Sequence, residues 1–162
     1  MIKAHRITTQ AGKRAAVAVF LLVSALCLPL FAPGIVLAGE AATVVFLVRH
    51  AEKDKGEDPR LSLAGKDRAA VLAAMLRHSG VQRVFSSDYR RTRDTAAPVA
   101  AALGVEIEFY DPRKLDELAA ILKTAGGRHL VVGHSNTTPE LVTLLGGQAG
   151  TEIADPGECD RL

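Results

Sequence analysis

The 162-residue sequence has room for one domain of ordinary size and a short extension, and with 48% hydrophobic but only 4% aromatic residues its core must rest on aliphatic side chains. The formal charge of +2 originates at the N-terminus: Lys3, Arg6, Lys13 and Arg14 all precede Glu40, the first acidic residue, and setting these four aside from the 20 basic residues leaves 16 against 18 acidic, a net of −2. A near-neutral domain removes any composition argument for nucleic acid or an anionic membrane as partner, so positive charge used for function must be local.

Residues 1–14 are basic and polar, and Ala15 to Leu28 is an apolar run interrupted only by Ser24. Pro29, Pro33 and Gly34 follow, and the small residues around Ala38 and Gly39 offer a cleavage site. A charged start, an apolar centre and a small-residue exit read as a secretory signal over residues 1–38, ahead of a domain over 39–162. The competing reading is an uncleaved anchor, in which case the leader is the domain's sole membrane contact. Both readings place the domain outside the cytoplasm, periplasmic or secreted. Cleavage would leave Cys159 as the domain's one cysteine, because Cys27 lies in the leader, and no intramolecular disulfide could form.

Thr43–Arg49 is a short β-branched run ahead of the charged segment 53–60 and suits a buried strand. Ser62 precedes a helix in which Leu63, Ala70, Val71, Ala74 and Met75 recur at helical spacing, with Gly80 as the stop. Arg83–Ser87 is a second strand, and Thr92–Gly104 a helix with Pro98 inside it, which predicts a kink or a late start. Val105–Tyr110 alternates as a half-exposed strand. Pro112 then opens a helix with Leu115, Leu118, Ala119 and Leu122 on one face. His129–Gly133 is a fourth strand, followed by a helix with Pro139 near its first turn. Four alternations of strand and helix predict a three-layer α/β/α fold with a largely parallel central sheet, whose ligand site lies beyond the carboxyl ends of the strands.

Three polar clusters fall at those strand ends: Arg49 with His50, Ser86 to Arg93, and His134 with Ser135 and Asn136. Two histidines with several arginines suit a phosphate better than a metal, since no local His, carboxylate or thiol spacing of a metal site is present. Guanidinium groups grip phosphate oxygens bidentately, and an imidazole can attack phosphorus covalently. A glycine-rich phosphate loop with its lysine is lacking, and so is a nucleophile-elbow pattern around Ser135. Arg93 reads as a solvated helix charge, His78 as a helix-end residue, His129 as structural and Ser87 as a turn or cap residue. The reading of Arg90 stays open.

These residues resemble the histidine phosphatase superfamily, in its phosphoglycerate-mutase-like branch. VVFLVRHAEK (44–53) is similar to the family's Arg-His motif, SSDYRRTRDTA (86–96) to its second motif, and VVGHSNT (131–137) to its second-histidine motif. The resemblance runs from about Thr43 to the chain end, with the motifs in the family's order. It implies that His50 is the phosphoryl-accepting nucleophile, that Arg49 and Arg91 bind the phosphate, and that His134 completes the pocket. It implies no metal and no cofactor. The general acid would come from the region after the third strand, where Asp111 is favoured over Glu106 and Glu108 by its place at the strand end, with Glu52 as competitor.

The relatives this sequence most resembles continue beyond a segment like that at Glu158–Leu162, so the sheet is expected to be truncated at the C-terminus, with an unpaired edge. The function expected is hydrolysis of a small phosphomonoester through phosphohistidine on His50. Two alternatives accompany it: a phosphohistidine protein phosphatase, and a non-catalytic phosphate-binding module left by the truncation.

Overall fold

The computed structural model describes residues 42–151 and residue 153. The leader at 1–38, Cys27 and Cys159 therefore lie outside the described residues. Strands and helices alternate as expected: β1 (Val44–Arg49), α1 (Leu63–Leu76), β2 (Arg83–Ser87), α2 (Arg90–Leu103), β3 (Ile107–Tyr110), α3 (Leu115–Ala125), β4 (Arg128–Gly133) and α4 (Thr137–Leu144). The four strands form one sheet in the order β1-β4-β2-β3, and every pairing is parallel. Its register sets Arg49 beside Gly133, and Ser87 beside Tyr110, so the reactive strand ends meet at one edge of the sheet. Among the described residues β1 and β3 each have a single neighbour. No helix among them is long and apolar enough to cross a membrane.

The period-two alternation of strands sends successive side chains to opposite layers. Val48, Val84, Leu130 and Val132 pack against Ala73 and Leu76 of α1 and Ala96, Val99 and Ala100 of α2. On the other face Phe85 and Val131 meet Leu118, Ala119 and Leu122 of α3 and Leu141 of α4. The result is the three-layer α/β/α architecture. Val84, Leu130 and Val132 are wholly buried, each stabilising the fold by roughly 1.5–3 kcal/mol. The α3 face anticipated from periodicity, Leu115, Leu118, Ala119 and Leu122, is the one buried.

Helix α1 turns the other way. Leu63, Val71 and Met75 are 76%, 58% and 62% exposed, while Gly65, Ala69, Ala73 and Leu76 face inward. Alanines occur on both sides of this helix, so its sequence carries little amphipathic contrast and packing chooses the face. Gly65 is decisive, because a Cβ there would run into the backbone carbonyl of Glu52. Ser62 caps the helix by accepting from Gly65 N at 3.2 Å.

Two helix starts also differ from expectation. Helix α2 begins at Arg90 and runs through Pro98 without interruption to Leu103, so Pro98 causes no late start. Helix α3 begins at Leu115, because Lys114 N closes a turn on Asp111 O at 3.0 Å and holds Pro112 outside the helix.

Candidate active site

His50 follows the last residue of β1 and is 3% exposed. Its Nδ1 lies 2.8 Å from the carbonyl oxygen of Ala51, which can only accept, so Nδ1 carries the proton and Nε2 the lone pair. The Ala51 peptide is held from α2: Ala51 N donates to Thr95 Oγ1 at 3.0 Å, and Thr95 Oγ1 donates to Arg91 O at 2.7 Å. The nucleophile candidate and the arginine candidate are thus tied through one threonine.

His134 follows β4, its ring centroid 5.6 Å from that of His50 and inclined at 69°. The reversal that brings it there needs Gly133, whose Cβ would lie 2.9–3.1 Å from Thr137 Oγ1, Thr138 Oγ1 and the Tyr110 hydroxyl. Thr137 Oγ1 accepts from His134 N at 2.9 Å. Tyr110 donates to Val132 O at 3.2 Å, and burial pushes its pKa up to about 12, so it keeps that proton.

The tautomer of His134 follows from its neighbours. Arg91 Nη2 lies 3.3 Å from Nδ1 and can only donate, so Nδ1 accepts and Nε2–H donates to Ser87 Oγ at 2.9 Å. Ser87 passes its own proton to Thr92 Oγ1 at 3.0 Å, and Thr92 donates back to Ser87 O at 2.8 Å. Burial, reinforced by the charges of Arg91 and Arg49, lowers the His134 pKa to about 4, so the ring is neutral at pH 7.

His50, His134 and Arg91 line one cleft of about 360 Å³, together with Tyr89, Lys53 and Arg113, and the start of α4 closes it at Asn136 and Thr137. Arg49 is 3% exposed, and its charge reaches His134 from the end of β1. The Arg91 guanidinium lies 4.6 Å from the Tyr89 ring centre, and its buried Nε has no hydrogen-bond partner among the described residues. A buried guanidinium nitrogen of this kind suits an anion such as phosphate.

Asp58 Oδ1 lies 3.7 Å from Arg91 Nη1, whereas the carboxylates considered as general acids stand apart from this group. Asp111 does not line the cleft: it accepts from Arg113 N, Nε and Nη2 at 2.9–3.0 Å, and that pairing lowers its pKa to about 2. Asp111 is thus an ionised carboxylate paired to Arg113 outside the cleft, not the proton donor facing His50 that the sequence reading placed there. Glu52 is likewise lowered by its bidentate pairing with Arg68, and Glu108 by Arg83. Arg90 and Arg93 are exposed or half-exposed partners of Asp58 and Asp88. His129 is buried, with Nε2 donating to Gly126 O at 2.7 Å, as a structural residue should. Reading the sequence missed Thr95, Thr92 and Tyr89, and took Ser87 for a turn residue. The one signal available was their clustering between Ser86 and Thr95 at a strand end.

Comparison with known proteins agrees with this fold. The sequence pattern of the histidine phosphatase superfamily (branch 1) matches residues 45–120. The "Probable phosphoglycerate mutase GpmB" of Escherichia fergusonii is 31% identical over 106 residues, 60% of this chain and 49% of that protein. Its Yersinia enterocolitica counterpart is 33% identical over 88 residues, 49% of this chain and 40% of that one. The chain thus spans about half the length of the curated relatives it matches. Among solved structures, the "putative phosphohistidine phosphatase SixA from Agrobacterium tumefaciens" superposes with a TM-score of 0.51 at 25% identity, covering 60% of this chain and 70% of that one. A mycobacterial glucosyl-3-phosphoglycerate phosphatase shares the fold, with a TM-score of 0.57 at 16% identity over 64% of this chain and 79% of the other. With its strand-end motifs gathered into one cleft on this fold, the chain resembles the histidine phosphatase superfamily, branch 1, whose pattern it carries over residues 45–120.

Proposed function

We propose that the domain hydrolyses phosphoryl compounds through a phosphohistidine intermediate on His50, without a metal. The observation that carries this reading is the fixed tautomer of His50, whose proton is held on Nδ1 by Ala51 O. Nε2 attacks phosphorus and the bond to the leaving group breaks with its electron pair. Arg49 and Arg91 stabilise charge on the phosphoryl oxygens, and neutral His134 orients them. Water then attacks the phosphohistidine, the P–N bond breaks, and inorganic phosphate leaves. Hydrolysis is favoured over transfer to a second substrate because the cleft is open: Arg113 on its rim has a side chain 86% exposed, so water has access.

A specific observation also favours a second reading, phosphohistidine as substrate. No carboxylate lines the cleft among the described residues, and a leaving imidazole needs less help from an acid than an alkoxide does. The export read from residues 1–38 belongs to the same proposal and is supported by the sequence pattern of the leader.

The test is turnover of an aryl phosphate and of a phosphohistidine peptide by the purified protein, with chelator, beside His50→Ala. Acid-labile, base-stable phosphate on the wild type and loss of turnover in His50→Ala are expected. Label that forms but never turns over would mark a binding module, and full activity in His50→Ala would overturn the nucleophile. N-terminal sequencing of secreted material should begin at Gly39.

A further inference from the structure

Beside the cleft lies a second cavity of about 540 Å³ that shares Tyr89, Pro112 and Arg113 with it. Its other walls include Phe109 and Tyr110 of β3. Aromatic residues are scarce in this protein. Only Phe46, Phe85, Tyr89, Phe109 and Tyr110 occur among the described residues, and three of these five line this one cavity. Phe109 is 57% exposed and Tyr89 is 39% exposed, although packing is the ordinary use of such rings.

We propose that this annex is the leaving-group subsite and that it takes a planar ring, so that the preferred substrates carry the phosphoryl group on an aromatic or heteroaromatic group. The proposal rests on the reading that the His50 cleft holds the phosphoryl group. Tyr89 links the two cavities: it lies against the Arg91 guanidinium at 4.6 Å and edge-on to His134 at 5.1 Å, and it also faces the annex. A leaving group begins one bond from phosphorus, so a group held by Arg91 extends along this shared wall. The charges there do not invite an anionic leaving group. Arg113 is already held bidentately by Asp111, and Asp88, also on the annex wall, is paired with Arg93 at 2.9 Å. What the annex offers a ligand is ring surface, with Pro112 beside it.

Calorimetric titration of the full chain with phenylphosphonate and methylphosphonate tests the idea, because the two share the phosphoryl end and differ in the ring. Phenylphosphonate should bind roughly three- to tenfold more tightly. Phe109→Ala should remove that preference and leave methylphosphonate affinity within about twofold, and Phe109→Leu, apolar but not planar, should fall between. Circular dichroism of both variants guards against misfolding. Equal affinity of the two phosphonates for the wild type, or an undiminished preference in folded Phe109→Ala, overturns the subsite while the phosphoryl reading stands. Failure of both phosphonates to bind, with no acid-labile phosphoenzyme, overturns the reading beneath it and the subsite together.

Discussion

Ser87 Oγ and His134 Nε2 lie 2.9 Å apart, and this one hydrogen bond between the ends of β2 and β4 decides which nitrogen of His134 faces Arg91. Ser87 is wholly buried and spends its own proton on Thr92, so it is left to accept. Ser87→Ala should leave the half-buried Nε2–H of His134 without that partner, a cost of about 1 kcal/mol in stability. It should also lower kcat/KM about tenfold as the His134 ring loses its orientation. Nitrogen chemical shifts of the ring would report mixed tautomers. An unchanged tautomer in the variant would remove Ser87 from this role.

Asp111→Asn gives a sharp contrast between position in sequence and position in space. With its carboxyl at about pKa 2 and paired to Arg113, the residue donates no proton, and kcat on an alkyl phosphate should change less than about twofold. Loss of a general acid would instead cost on the order of 10²- to 10⁴-fold. Steady-state rates of the variant across pH 5–8 distinguish the two outcomes.

The depressed pKa of His134 makes stability pH-dependent with a definite sign. The folded ring titrates at about 4 and the unfolded one near 6.5, so between these values the unfolded chain binds more protons. The contribution is complete above pH 6.5 and is lost as pH falls through about 4. Denaturant unfolding midpoints should therefore fall over this window, and His134→Asn should flatten the slope. A slope identical in the variant would show that other groups dominate.

Gly65→Ala probes the fold alone. The added Cβ meets the Glu52 carbonyl, a backbone atom that cannot swing aside, so α1 must shift away from the segment that follows His50. Overpacking of this sort should cost about 1–3 kcal/mol, read as a lower urea midpoint with an unchanged slope. Ala64→Gly, at an exposed neighbour, should lose less, roughly 0.5–1 kcal/mol.

Much of this protein was legible in its sequence, for a physical reason. The strand and helix order, the parallel sheet, the buried face of α3 and the strand-end placement of Arg49, His50, Arg91 and His134 all follow from local patterns. Hydrophobic periodicity and chain direction act over a few residues, and strand ends in such sheets converge on one edge. Tertiary packing decided the rest. The buried face of α1 depended on a contact between Gly65 and Glu52, because alanines on both sides gave the helix no preference of its own. Asp111 sits at the expected strand end, yet it does not line the cleft that holds His50 and His134. The tautomer of His134, set by Arg91 and Ser87, and the bond from Ala51 N to Thr95 join residues 43 to 47 apart. Linear spacing carries no trace of contacts at that separation, because they exist only once the sheet has brought its strand ends together.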